Sequence, residues 1–224
     1  MNMTANAFPA TGFSAFLFDM DGTILTSILA TERVWAGWMR GHGLDVAALL
    51  PTIHGMRAID TMRRLAVPGM DPEVEARRLL ALEMEDVGGI EPIRGAAAFL
   101  ATLPQDRWAV VTSAPKALAL RRMEAAGLTA PPVMVTAEDV SQGKPAPDCF
   151  LLGAERLRVT AESCLIFEDA PAGIAAAEAA GARVMVVTAT HDDKSGAGHA
   201  AIESYESIAA MTDAAGALHV RARS

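Results

Sequence analysis

Four short runs in this chain combine residue types that do chemistry: Asp19-Met20-Asp21-Gly22-Thr23, Thr112-Ser113, Gly143-Lys144-Pro145-Ala146-Pro147-Asp148 and Glu168-Asp169. Asp19, Asp21, Glu168 and Asp169 supply carboxylates, Ser113 a hydroxyl and Lys144 an ammonium. Carboxylates that share a small space repel one another unless a cation neutralises them. A few hard oxygen ligands suit Mg²⁺, which keeps several waters and is completed by substrate phosphate. Serine and lysine beside such an ion suit phosphate oxygens, and a helix opening after Ser113 adds its positive end to the same place. The chemistry these residues imply is Mg²⁺-assisted phosphoryl transfer with a carboxylate available as nucleophile.

Taken singly, each run has an ordinary explanation. Asp-Gly is turn chemistry, and Ser113 before Pro115 or Glu168-Asp169 before Pro171 could cap helices. Lys144 could be a solvated loop charge, although the chain holds only three lysines against 16 arginines. A lysine in an arginine-rich chain suggests that a compact point charge is wanted. Four independent caps do not explain why these types occur in this order at strand ends.

The elements around them supply the reason to expect convergence. Residues 15–19, 108–112, 164–167 and 184–187, and more weakly 133–135, are apolar runs without polar alternation, as expected of strands buried on both faces of a parallel sheet. Helices are predicted between them, from Pro115 to Gly127 and from Pro171 to Gly181, with proline at the start and glycine past the end. The predicted fold class is α/β, a doubly wound parallel-sheet (Rossmann-like) core. In such sheets ligands bind outside the carboxyl ends of the strands, where all four runs fall. Residues 27–93 show no strand. Helical stretches there start at Ser27, with Ile28, Val34, Trp35, Trp38 and Met39 near one face, and recur around 56–66 and 72–86. The expected organisation is a core of residues 1–26 and 94–224 with an inserted helical domain of residues 27–93, because a loop of that length is improbable.

Composition narrows the function classes. The chain has 224 residues, 51% hydrophobic and 21% charged, with a formal charge of −8, which is a globular composition. The acidic balance argues against a nucleic-acid or anionic-membrane partner. Cys149 and Cys164 make no disulfide framework or zinc pattern. The first Lys or Arg is Arg33, against a signal peptide, and no run of apolar residues is long enough for a membrane span. A cytoplasmic monomer that acts on a small phosphorylated metabolite is expected. Gly196–Ala201 fits GxGxxA but does not open a βαβ unit. Trp35 and Trp38 read as helical-domain core, and His191, Asp192 and Asp193 as a solvated loop.

Phe18-Asp19-Met20-Asp21-Gly22-Thr23, Val111-Thr112-Ser113, Gly143-Lys144-Pro145-Ala146-Pro147-Asp148 and Phe167-Glu168-Asp169-Ala170-Pro171-Ala172-Gly173 resemble the four ordered motifs of the haloacid dehalogenase-like hydrolases. The helical insertion resembles the cap of that superfamily's subfamily I. Ile53-His54-Gly55 and the Glu168–Gly173 run are similar to bacterial sugar phosphatases and yeast-type glycerol-3-phosphatases and 2-deoxyglucose-6-phosphate phosphatases. The resemblance implies that Asp19 is the nucleophile and that Asp21 is the acid and base. It implies that Ser113 and Lys144 hold the phosphoryl group. Asp169, Asp19, the Asp21 carbonyl oxygen and Glu168 would hold Mg²⁺. Thr26-Ser27 departs from the Asp-Ser of many relatives at a position beyond the catalytic pair, where it puts no doubt on the chemistry. Cap residues would read the rest of the substrate, with His54, Arg57 and the Glu83–Glu91 region as candidates. A phosphosugar mutase and a catalytically silent phosphometabolite-binding protein remain alternatives. A dehalogenase is disfavoured, since that chemistry requires neither an alkoxide proton donor nor Mg²⁺.

Overall fold

The computed structural model describes residues 11–190 and 198–223. The first apolar run forms β1 (Ala15–Phe18), all four residues of which are buried. After the Asp19–Thr23 turn comes β2 (Leu25–Thr26). Helices α1 (Ile28–Gly41), α2 (Val46–Leu49), α3 (Ala58–Leu65) and α4 (Pro72–Glu85) follow. The chain then returns through β3 (Glu91–Pro92), α5 (Ala96–Leu100), β4 (Trp108–Val111), α6 (Lys116–Ala125) and β5 (Met134–Val135). It continues through α7 (Asp148–Arg156), β6 (Cys164–Glu168), α8 (Pro171–Ala179), β7 (Arg183–Val187) and β8 (Ala200–Ile202). A hairpin of β9 (Ile208–Thr212) and β10 (Leu218–Ala222) ends the described chain.

The main sheet has strand order β5-β4-β1-β6-β7-β8 and every pairing in it is parallel. This is the doubly wound α/β architecture that the uninterrupted apolar runs predict. Successive side chains of β1 point to opposite faces. Phe16 and Phe18 join one buried cluster with Phe99, Trp108, Phe167 and Tyr205, while Ala15 and Leu17 join the other with Val111, Phe150 and Ile166. Burial on both faces is why no strand here alternates polar with apolar.

The aromatic cluster fixes the register that the site needs. Phe18 lies opposite Phe167 in the β1–β6 ladder, and their rings stack with centroids 4.5 Å apart. Phe99 packs edge-on to both. The next residue on each strand is therefore Asp19 beside Glu168, and the Asp19 amide donates to the Phe167 carbonyl at 2.9 Å.

Local signals set the helix ends. Asp71 accepts from the Val74 amide at 3.0 Å and Pro72 opens α4, the pairing of cap and first-turn proline that favours a sharp start. Helices α1 to α4 have their own core of Trp35, Trp38, Met39, Ile53, Met62 and Leu79, which places the tryptophan pair in packing as expected. Ser27 does not cap α1 with its side chain; its hydroxyl goes elsewhere, as described below.

Several elements differ from the sequence expectation. β3 lies inside 27–93, where no strand is predicted, and pairs antiparallel with β2 through Leu25–Pro92 and Thr26–Glu91. A two-residue strand containing proline carries no apolar pattern to detect. The β9–β10 hairpin and β8 also escape prediction, since alanine-rich strands have low β-propensity. His191, Asp192, Asp193 and the first residues of the Gly196–Ala201 run lie outside the described residues. Among the described residues no helix is long and apolar enough to cross a membrane.

Phe167 is fully buried between the sheet and α5. Phe167→Ala is expected to destabilise the fold by about 3–5 kcal/mol, read as a lower urea midpoint at unchanged m-value. A loss below about 1 kcal/mol would show that this stack does not anchor β6 to β1.

Candidate active site

Strands β4, β1 and β6 are neighbours, so their carboxyl ends bring Thr112-Ser113, Asp19 and Glu168-Asp169 side by side. The loop before α7 adds Lys144. Its ammonium lies 2.5 Å from Asp19 Oδ1, 2.7 Å from Glu168 Oε1 and 3.3 Å from the Val111 carbonyl oxygen, and 5.0 Å from the Phe150 ring centroid. Glu168 is fully buried, and its Oε2 accepts from the Asp169 and Ala170 amides at 2.7 and 2.9 Å. Asp169 accepts from the Thr23 hydroxyl at 3.1 Å. Two glycines make room: a Cβ at Gly22, where φ is +88°, would collide with the Asp169 carboxylate, and one at Gly173 would collide with that of Glu168.

Asp19, Glu168 and Asp169 each present an oxygen within 4.8 Å of the others. With one ammonium against three carboxylates the cluster carries a formal −2 when fully ionised. Burial lifts the Asp19 carboxyl well above the ordinary carboxylate range; Lys144 opposes this, while Glu168 and Asp169 add to it. Burial alone would lower Lys144, but Asp19 and Glu168 outweigh it and hold the ammonium above its ordinary value. An all-oxygen donor set with excess negative charge is what a hard divalent cation takes. The residues present fit Mg²⁺ on these grounds.

The Asp21 side chain is turned away from that cluster. Its Oδ1 accepts from the Ser27 hydroxyl at 2.5 Å and its Oδ2 pairs with Arg122 Nη1 at 3.0 Å. Position 27, beyond Asp19 and Asp21 in sequence, thus folds back onto Asp21, and Ser27 takes part in holding it. Asp19, Asp21, Ser113 and Asp169 all line one cavity of about 80 Å³, closed on the far side by residues of α1, α4 and the Ile53–Ala58 segment. The Ser113 hydroxyl donates to the Gly55 carbonyl oxygen of that segment at 2.9 Å.

The candidates outside the core motifs divide. His54 lines the cavity and lies 3.4 Å from Glu32. Glu83 also lines it, whereas Glu91 lies exposed in β3. Arg57 is not in the cavity wall. Its guanidinium pairs with Asp60 at 2.6 Å and donates to the Val140 and Ser141 carbonyl oxygens at 2.8 and 3.0 Å. These partners clasp the start of α3 to the loop before Lys144, which leaves Arg57 turned away from a ligand. The residue sequence reasoning missed is Arg122, which contacts Asp21, Glu83 and Thr31 together. A signal existed: Leu118, Ala119, Arg122 and Met123 form the buried face of α6, so Arg122 sits on an apolar stripe.

A buried carboxylate cluster with a lysine at the carboxyl edge of a doubly wound sheet defines an α/β enzyme site. Residues 13–181 match the profile of the haloacid dehalogenase-like hydrolases, and the chain belongs to that family. It is 42% identical over 181 residues to hexitol phosphatase A of Escherichia coli K12, covering 79% of this chain and 84% of the relative. It is 33% identical over 192 residues to glycerol-1-phosphate phosphohydrolase 2 of Saccharomyces cerevisiae, covering 80% and 76%. A hydrolase from Pseudomonas syringae shares the fold, with a TM-score of 0.76, 24% identity and coverage of 85% of this chain and 94% of that one.

Lys144 is the sole cation within hydrogen-bond reach of the Asp19 and Glu168 carboxylates among the described residues. Lys144→Met leaves those charges buried and uncompensated. Loss of one partner of a buried pair costs about 3–5 kcal/mol, and urea unfolding of the variant is expected to show a loss of that size. Unchanged stability would mean that the cluster does not depend on the ammonium.

Proposed function

We propose that the chain is a Mg²⁺-dependent phosphatase of small sugar or polyol phosphates that works through an aspartyl phosphate on Asp19. The observation that carries this reading is the packing of Asp19, Lys144, Glu168 and Asp169 into one cluster, with Asp21 and Ser113 facing the same cavity. The phosphatase names of the relatives support hydrolysis of a phosphate ester.

Each residue has a role that follows from its surroundings. Asp19 stands at the end of β1 with one oxygen held by Lys144, so the other can attack phosphorus. Lys144 and the Ser113 hydroxyl hold the phosphoryl oxygens; Ser113 exchanges the Gly55 carbonyl for phosphate. Glu168 fixes Lys144 through Oε1 and the β6–α8 turn through Oε2. Asp19, Asp169 and the Asp21 carbonyl oxygen would hold Mg²⁺, with Glu168 adding charge. The ion supplies neutralisation of the carboxylates and of the phosphate dianion. Asp21 donates a proton to the leaving alkoxide and then takes one from the attacking water.

Residues 27–93 act as a cap in this proposal. A cavity of about 80 Å³ is smaller than the roughly 300–1,000 Å³ of ordinary ligand sites. Helices α1 to α4 therefore swing away to admit substrate and return to exclude water. They are joined to the sheet through the β2–β3 ladder, and the proposed hinge is there. Identical placement of these helices in free and phosphate-bound forms would contradict the swing.

Phosphate monoester hydrolysis without a catalyst is among the slowest reactions known, so the barrier must fall by up to ~20 kcal/mol or more. General acid help accounts for about 10²–10⁴-fold and counts most for poor leaving groups. Asp19→Asn is expected to abolish turnover of every ester. Asp21→Asn is expected to lower kcat/KM on an alkyl phosphate by about 10²–10⁴-fold and to affect phosphoenzyme formation from p-nitrophenyl phosphate far less. Equal loss in that first step for both leaving groups would remove Asp21 from the acid role. Turnover that survives exhaustive chelation would remove Mg²⁺.

A further inference from the structure

Beyond Asp21 the cavity wall carries a charge pair, Arg122 with Glu83, to which the roles above assign no contact with the phosphoryl group. Arg122 Nη2 donates to Glu83 Oε1 and to the Thr31 hydroxyl, each at 3.0 Å, while Nη1 faces Asp21. Arg122 comes from α6, Glu83 from α4 and Thr31 from α1. All three line the cavity, and Arg122 and Glu83 are only 5% and 6% exposed.

A buried ion pair is a poor device for holding two helices together, since apolar residues of like volume do as well or better. This one is also incompletely satisfied: Arg122 Nε is buried with no hydrogen-bond partner. Burial pushes the Glu83 carboxyl up even with Arg122 beside it. The place of the pair suggests a different use. If Asp21 serves the leaving oxygen, the carbon chain attached to that oxygen continues past Asp21, toward Arg122, Glu83 and Thr31. Beside them the wall is apolar, formed by Ile28, Trp35 and Leu118. A polyol has the matching character, with C–H groups for the apolar surface and hydroxyls that both donate and accept for the charge pair.

We infer that Arg122, Glu83 and Thr31 are the specificity-determining residues for the leaving alcohol, selecting one that is hydroxyl-rich and uncharged. The lack of charge follows from the count at the wall. Arg122 already faces two carboxylates, Asp21 and Glu83, and His54, the other basic residue in the lining, lies beside Glu32. A second phosphate or a carboxylate on the alcohol would meet excess negative charge. An alcohol with no hydroxyl beyond the esterified one would desolvate the pair and give nothing back. This inference rests on the phosphatase reading and assigns its specificity to a core arginine and two residues of the helical segment.

The test compares three esters of equal chain length: a hexitol 6-phosphate, n-hexyl phosphate and a hexonate 6-phosphate carrying a terminal carboxylate. A site built to hydrogen-bond hydroxyls rejects analogues that lack them, so the wild type is expected to favour the hexitol ester by about 100-fold or more in kcat/KM over each of the others. Thr31→Val, which keeps shape and leaves the ion pair in place, and Glu83→Gln are each expected to cut the hexitol preference over n-hexyl phosphate by about tenfold. The loss on the hexitol ester exceeds that on n-hexyl phosphate, which is what lowers the ratio. Glu83→Gln also improves turnover of the hexonate ester. If Glu83→Gln does not fold, Thr31→Val decides alone. An unchanged preference in the folded variants, or a wild type indifferent to the three esters, overturns the inference and leaves the phosphatase reading standing. A wild type inactive on all three and on p-nitrophenyl phosphate overturns both.

Discussion

The site depends on one buried ammonium. Lys144 lies between Asp19 and Glu168 at hydrogen-bond distance from each, where water is excluded and an unpaired charge is costly. Burial lifts the Asp19 carboxyl and the ammonium opposes that lift, and two carboxylates this close repel one another unless a cation stands between them. Asp169 adds a further negative group, so a single lysine does not complete the balance. In the proposed mechanism that incomplete neutralisation is what a divalent cation would make good, and the cation would offset the charge of a bound phosphate. Arginine would not serve in the same space, because its planar fork cannot occupy the point where two carboxylates and a carbonyl meet.

The sheet exists in the form that holds this arrangement. Parallel pairing of β4, β1 and β6 presents three carboxyl ends at one edge, and the Phe18–Phe167 stack sets the register that aligns Asp19 with Glu168. Gly22 and Gly173 remove the side chains that would push Asp169 and Glu168 out of place. The helical segment touches this edge through Ser113–Gly55, through the Arg57 clasp and through Arg122–Glu83. The first of these occupies the Ser113 hydroxyl. In the proposed mechanism phosphate takes that hydroxyl, which would couple substrate binding to the Gly55 contact.

The parts of this that can be read from the sequence are those set by local rules. Asp19, Glu168 and Asp169 are recognisable because they end apolar runs, and Lys144 because it opens a proline-rich turn, at positions that chain order fixes in a parallel sheet. Residues whose role is set by tertiary packing are not recognisable in the same way. Ser27 looks like an ordinary helix cap, yet its hydroxyl turns back to Asp21. Arg57 has the composition of a substrate ligand, and backbone carbonyls across the interface take it instead. Arg122 is one of 16 arginines, and only the apolar neighbours on its helix face mark it as buried. Glu75, Leu79 and Glu83 occupy successive turns on the buried side of α4, a pattern that places two acids where a packing face should be apolar. The β9–β10 hairpin is hidden by its alanines, because it forms from pairing rather than from propensity.

The central claim is that this cluster turns Asp19 into a nucleophile toward phosphorus. The most direct measurement is rapid acid quenching of the Mg²⁺-loaded enzyme during turnover of a radiolabelled phosphate ester, followed by mapping of the labelled peptide. The account predicts acid-stable, base-labile label on Asp19 that forms and decays at rates compatible with turnover. Steady turnover with no label on the protein, or with label on a residue other than Asp19, would contradict it.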